Sequence, residues 1–340
     1  MNEKRNANID LIRSVSCIAI IGLHSFNHID NILLKIFYQA CGFGVPFFFM
    51  ASGFFLLKRK EYSSKYVMSK CWYLIRIVVI WNLIHLAKLL IMDLIKGRNL
   101  TERVSSEFLY NLAGGFIEKG FFWHFWYIGA LIIIYLLLPI IARLERNKKV
   151  SNVILILLLL IDFSVQFLSY NLGYPIQEKI PQIFRLWSWL TYFYLGGYCA
   201  RNIDVVKDKV SIKIHIVISI ILFLTQICWH LFCSNRIIFN NYAEYYYDDI
   251  LTIVANICLF LLLARINLST NMKKISVWFA KYTLGIYVVH PIFMSYIRRE
   301  INITNGYRAL MMFAICLGLS ILACIIIYRI KLLRKTISVS

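Results

Sequence analysis

Long apolar runs separated by short, mostly basic, polar bursts dominate the chain. A bilayer core of about 30 Å needs about 20 helical residues, because only a backbone with internally closed hydrogen bonds survives in hydrocarbon. On that criterion ten segments are expected to span a membrane: 9–28, 37–57, 71–94, 124–142, 150–170, 184–200, 211–231, 249–266, 276–297 and 309–329. No internal repeat, low-complexity tract or long linker interrupts them. The longest gap, from Ile95 to Trp123, is expected to be a loop holding a short amphipathic helix around Glu107–Phe116. The pattern predicts an all-α polytopic membrane protein of about ten transmembrane helices, with residues 1–340 forming one integral-membrane domain.

Composition agrees. The chain is 60% hydrophobic and 16% charged, against roughly 45–50% and about 25% in soluble globules. Its mean hydropathy is +0.68. The formal charge of +20, from 37 Lys+Arg against 17 Asp+Glu, would suit nucleic acid only on a soluble surface. Here the cations fall between the apolar runs, so no nucleic-acid partner is expected. Placing the N-terminus inside puts Lys4, Arg5, Lys58, Arg59, Lys60, Lys65 and Lys70 on the cytoplasmic face, with Arg143, Arg146, Arg201, Lys207, Arg265 and the tail Arg334 and Lys335. The opposite loops hold fewer, among them Arg98, Arg298 and Arg299, as the positive-inside rule requires. Both termini are therefore expected to be cytoplasmic. Nine cysteines without a C-x-x-C pair read as small buried hydrophobes, and no bound metal or cofactor is expected. The first run carries Arg13 and His24 and lacks a small-residue cleavage site, so it is expected to be a span and not a cleaved signal peptide.

Ionisable groups inside spans are costly and mark candidate function. Arg13 and His24 are eleven residues apart, which returns to nearly one helical face, roughly 16 Å along the axis. Asp10, Cys17 and His28 fall on the same side. Such a stripe suits a donor anchored from the cytoplasm and a reaction inside the membrane; polar contacts to a neighbouring helix explain it equally well. Arg76 lies at a depth similar to Arg13 in the third span. His124, Trp126 and Tyr127 open the fourth span at the outer face, and Tyr287, His290 and Pro291 sit in the outer half of the ninth. His85, half a turn out of phase with Arg76, reads as structural, as does an interhelical contact of Asp162 and Gln166. His215 and His230 lie near span ends and are assigned no role. The loop 240–249, rich in amides, acids and phenols, reads as an interfacial loop first and a sugar-contacting surface second.

At this point the residues resemble the bacterial acyltransferase-3 family. The carrying pieces are Asn8-Ile9-Asp10-Leu11-Ile12-Arg13 with Gly22-Leu23-His24, then Gly44-Val45-Pro46-Phe47-Phe48-Phe49-Met50-Ala51-Ser52-Gly53-Phe54. His124-Phe125-Trp126-Tyr127-Ile128 with Tyr135 and Pro139, Phe193-Tyr194-Leu195-Gly196-Gly197-Tyr198, and Leu284-Gly285-Ile286-Tyr287-Val288-Val289-His290-Pro291 follow in order. One departure stands in the third span, where the family often has R-x-x-R: position 73 is Tyr, leaving Arg76 with Lys70 nearby. The chain also ends soon after the tenth span, without the extracellular domain some relatives append, so the chemistry is expected in the membrane domain or a partner.

The resemblance implies transfer of an acyl group, most often acetyl, from cytoplasmic acyl-CoA to a hydroxyl of an extracytoplasmic or lipid-linked glycan, in the bacterial cell membrane. It implies that Arg13 and Arg76, with Lys70, hold the donor's phosphates, that His24 is base or nucleophile, and that Asp10 orients Arg13. His124, Trp126, Tyr127, Tyr287 and His290 would line the acceptor side, while Ser52-Gly53 would allow close helix packing. A transporter or flippase, or a non-catalytic membrane subunit of a glycan-assembly or racemase complex, remains the alternative.

Overall fold

The computed structural model describes residues 5–27, 31–59, 61–97, 109–301 and 305–338. The expected placements of Lys4, His28, Lys60, Arg98 and Glu107 fall outside them. The bundle is built from α1 (Ala7–Phe26), α2 (Ile32–Ala40), α3 (Gly44–Leu56), α4 (Ser64–Ile95), α5 (Trp126–Glu145) and α6 (Lys148–Leu172). It continues with α7 (Leu186–Lys209), α8 (Ile212–Arg236), α9 (Ile250–Arg265), α10 (Thr270–Ala280), α11 (Thr283–Glu300) and α12 (Gly306–Arg329). No strand occurs among the described residues.

A helix stands at each of the ten expected positions, with changed edges. Among the described residues, seven stretches are long and apolar enough to cross a bilayer, eight if the bent pair α9–α10 is one span. The difference has a physical reason. α9 is only 16 residues long, while α7 and α11 end in charged residues such as Arg201, Lys207, Arg298 and Arg299. Three expected spans are also interrupted. The second divides into α2 and α3 at a 3-10 turn, Cys41–Phe43. The ninth breaks between α10 and α11, and α10 itself folds back at 120° to α9. In the fourth, His124 lies in a 3-10 turn, Trp123–Phe125, ahead of α5. In the long loop, residues 109–114 are helical, and a 3-10 turn Gly115–Ile117 follows.

Helix starts follow local chemistry. Asn6, Asn31, Ser63, Asn147, Ser211, Asp249, Ser269 and Asn305 each accept a hydrogen bond from a backbone N–H of the first turn of their helix. α3, α5, α7 and α11 have no side-chain cap and run straight out of a preceding turn. Three of these four carry residues of the site described below.

Large apolar side chains point outward from α6 and α8: Ile156, Leu160 and Phe167, and Ile214, Val217 and Ile221, are all more than half exposed. Faces of that size are stable against lipid, not water, and the chain is a multi-pass membrane protein. The centre is packed by α1, α3, α5, α7 and α11. α3 and α7 approach backbone to backbone: a Cβ on Gly53 would stand 1.8 Å from the Phe193 carbonyl oxygen, and one on Gly196 would stand 1.9 Å from that of Met50. Only glycine permits such a crossing. Phe49 stacks on Trp189 at 5.0 Å beside it.

The other intramembrane acid, amide and imidazole groups singled out by the sequence each make at least one contact. Asp162 Oδ2 accepts from Thr191 at 2.5 Å, and Gln166 Oε1 accepts from Gln177 at 3.3 Å, as the interhelical reading expects. His85 stacks on Phe121 at 4.1 Å. His230 bridges Gln39 and Thr252, and His215 meets the Cys258 carbonyl oxygen and Arg265.

Candidate active site

The polar stripe of α1 is set by contacts at its first turn. Asn8 donates to the carbonyl oxygens of Leu263 and Ile266 at 2.9 and 2.8 Å, satisfying acceptors left open where α9 ends. Asp10 is buried and accepts from Arg5 Nε at 2.5 Å, while Arg13 Nη1 lies 3.9 Å from its other oxygen. Asp10 thus holds the start of α1 and flanks Arg13. At the other end, Arg298 Nη2 donates to the His24 carbonyl oxygen at 2.6 Å and fixes the last turn.

Two cavities lie along this stripe. The first, about 270 Å³, is lined by Arg13 and Lys70 together with Ser52, Tyr127, Tyr135 and Tyr287 and by apolar side chains such as Phe48 and Leu131. The second, about 120 Å³, is lined by His24, His124, Trp123, Trp126, Gln182 and Glu244, and again by Tyr127 and Tyr287. The two tyrosines therefore form the shared wall, their rings edge to face at 5.4 Å. The Tyr287 hydroxyl donates to the His124 carbonyl oxygen and locks that wall to the turn ahead of α5.

Three imidazoles gather beyond the wall. His24 lies parallel to His290 at 5.5 Å between ring centroids, with Trp123 edge-on to His24 at 4.8 Å. His124 meets His290 at 5.4 Å and Tyr287 at 5.0 Å. His290 Nδ1 engages the Ile286 carbonyl oxygen at 3.1 Å, which leaves Nε2 without a partner among the described residues; both ring nitrogens of His124 are likewise unpartnered. Buried polar atoms left open in this way mark a place where a polar ligand or water completes the set. Two prolines add to it. Pro139 and Pro291 each stand four residues after a cavity tyrosine, and having no N–H they deprive the Tyr135 and Tyr287 carbonyls of their usual helical donor.

The structure thus brings together Arg13, Lys70, Tyr127 and Tyr287 around one cavity, and His24, His124, Trp126, Tyr127 and Tyr287 around the other, with His290 packed on two of the imidazoles. Arg76 is not among the cavity-lining residues. Its Nη2 donates to the Lys335 carbonyl oxygen at 2.9 Å, and Trp81 Nε1 donates to that of Thr336 at 2.8 Å, so α4 binds the C-terminal segment. Ile337 of that segment packs on Gly285, next to Leu284 of the first cavity. Ser52 gives its hydroxyl to the Phe48 carbonyl oxygen at 2.9 Å, while Gly53 makes the close helix crossing.

Some site residues carry no motif. Gln182 and Glu118 come from separate loops and meet through Gln182 Nε2 at 3.0 Å. Glu244, within the loop of amides, acids and phenols, faces the second cavity. Burial pushes its carboxyl up to about 7, partly opposed by the Arg185 guanidinium.

A family model described as an acyltransferase domain matches residues 6–329. An amino-acid racemase from Enterococcus faecalis is 24% identical over 314 residues, covering 85% of this chain and 41% of the racemase. The chain therefore spans about two fifths of the length of that curated relative. No solved structure matches. The family match begins ahead of α1, ends with α12 and takes in every side chain of the two cavities, so this chain belongs to the acyltransferase-3 family.

Proposed function

We propose that the protein transfers an acyl group, acetyl in the first instance, from cytoplasmic acyl-CoA to a hydroxyl of an extracytoplasmic or lipid-linked glycan in the bacterial cell membrane. One observation carries the reading: a basic cavity and an imidazole cavity share the Tyr127–Tyr287 wall along a single helix face. Arg13 and Lys70 hold the donor's phosphates, for which a guanidinium fork and an ammonium are suited. The pantetheine arm of coenzyme A is long enough to carry the thioester from Arg13 toward His24.

His24 then takes the proton of the acceptor hydroxyl as that oxygen attacks the thioester carbonyl. The C–S bond breaks as the tetrahedral intermediate collapses, and the coenzyme A sulfur leaves with the proton from His24. The products are an ester and free thiol. His290 Nε2, an acceptor while Nδ1 donates to the Ile286 carbonyl oxygen, can take a hydrogen bond from the acceptor hydroxyl, and the open His124 ring can donate to the oxyanion. Comparing surface glycans by mass spectrometry with and without the gene tests the reading. Loss of ester-linked acyl groups on deletion is expected, and an unchanged glycan contradicts it.

For donor binding, Arg13→Ala is expected to weaken acyl-CoA affinity about ten- to hundredfold, the usual cost of a charge-assisted contact. Arg76→Ala is expected to weaken it less, because that guanidinium is engaged with the carbonyls of Lys335 and Ser338. Titration calorimetry of acetyl-CoA with purified protein checks both; equal affinities for the wild type and Arg13→Ala would remove Arg13 from the donor site.

The racemase similarity favours a second reading, a membrane segment that serves another catalytic domain. Under it, His24→Ala would leave surface glycans unchanged.

A further inference from the structure

Three loops distant in sequence close the imidazole cavity. Glu118 precedes α5, Gln182 precedes α7, and Glu244 sits in the 3-10 turn Ala243–Tyr246 ahead of α9. The Gln182 amide nitrogen donates to Glu118 at 3.0 Å and to Glu244 at 2.5 Å, and its backbone N–H donates to Glu118 at 2.8 Å. Both amide hydrogens are thereby used on carboxylates. Gln182 Oε1 is left without a partner among the described residues, although the side chain is only 3% exposed. His124, 2% exposed and also unpartnered at both ring nitrogens, lines the same cavity.

These open atoms ask for a ligand rich in hydroxyls, which donate and accept at once. Trp123, Trp126 and Tyr38 supply flat aromatic faces in the same lining. Charge narrows the choice further. Among the described lining residues Glu244 is the one carboxylate, and no lysine or arginine accompanies it. The nearby Arg185, outside the lining, gives its Nε to the Ile180 carbonyl oxygen, keeps Nη1 without a partner among the described residues and opposes the effect of burial on the Glu244 carboxyl only in part. Arg298 is engaged with the His24 carbonyl oxygen. An anionic ligand would face Glu244 with no lining cation to offset it.

We propose that Glu244 selects the acceptor by charge: the sugar that docks its hydroxyls on Glu244, Gln182 and His124 is electroneutral or amine-bearing, and sugars carrying carboxylate or phosphate are refused. The inference rests on the acyltransferase reading above and adds the class of acceptor to it. Glu244 is a specificity residue in this role, and His24 keeps the proton transfer.

The test uses the full chain in proteoliposomes at about pH 8, above the value of about 7 for Glu244, so that its carboxylate is ionised. Acetyl-CoA is offered with methyl glucoside, methyl glucosaminide or methyl glucuronide, and transfer is read by mass spectrometry. The wild type is expected to prefer the first two over the glucuronide by at least about tenfold, since like charges juxtaposed at a binding surface repel strongly. Glu244→Gln is expected to collapse that ratio, and Glu244→Asp to retain it. Because the readout is a ratio, a partly folded variant still reports on it. Equal use of glucoside and glucuronide by the wild type, or an unchanged ratio in Glu244→Gln, overturns the charge selection and leaves the acyltransferase reading standing. No transfer to any of the three by the wild type overturns both.

Discussion

His24→Ala is expected to lower acyl transfer by about 10²–10⁴-fold, the usual contribution of a positioned general base, while the protein still inserts. Three observations support both halves of that expectation. The imidazole is held against His290 and Trp123 in the second cavity, beyond the Tyr127–Tyr287 wall, where a donor carbonyl and an acceptor hydroxyl would meet. The backbone of α1 is fixed independently, by Arg298 on the His24 carbonyl oxygen and by Asn8 at the other end. The lost side chain also borders an existing cavity, so its removal enlarges that space without opening a new void in the core. His24→Gln keeps a hydrogen-bonding side chain but cannot take a proton, and it is expected to fail equally. Ester-linked acyl groups on surface glycans, measured in a strain with the variant as its sole copy, check this against membrane protein levels on the same samples. Acylation that persisted in His24→Ala would end the catalytic assignment.

The second large effect concerns stability. Gly53→Ala and Gly196→Ala are each expected to destabilise the protein by about 1–3 kcal/mol or more, the range for overpacking a filled core. In both cases the new methyl meets backbone, 1.8 Å from the Phe193 oxygen and 1.9 Å from the Met50 oxygen, so no side-chain rotation relieves the clash. α3 or α7 must shift. α3 also carries Phe48, Ala51, Ser52 and Phe55 on the wall of the Arg13 cavity, so acyl-CoA binding is expected to fall with stability. Gly318→Ala is the control, because a Cβ there meets nothing within 4 Å. Melting in detergent should show both variants well below wild type and Gly318→Ala beside it. Coincident curves for all four proteins would mean that the α3–α7 crossing relaxes at no cost.

Much of the architecture was legible because lipid imposes one simple demand, a backbone closed on itself over about 20 apolar residues. Helices duly stand at the expected positions. What the hydropathy pattern could not convey is where a helix breaks while its residues stay apolar. Cys41–Phe43 interrupts α2 and α3 inside a continuous apolar run, and only Gly42, Gly44 and Pro46 hint at it. The Arg13–His24 stripe was readable from helical period alone. The two cavities along it show why the spacing matters: the residues fall on opposite sides of one aromatic wall. Arg76 illustrates the reverse. Its depth matches Arg13, yet its guanidinium goes to carbonyls more than 250 positions away, a tertiary contact that no local pattern encodes. Gln182 and Glu118 were equally hidden, because loops meet through packing of the helices they join.

Transfer of isotope-labelled acetyl from coenzyme A, supplied to inverted membrane vesicles, is the most direct measurement of the central claim. Label should enter the glycan when the donor faces the cytoplasmic side of the wild-type protein, and should be absent with His24→Ala or in sealed right-side-out vesicles. Wild-type vesicles that leave the glycan unlabelled, or label that enters equally without the protein, would contradict it.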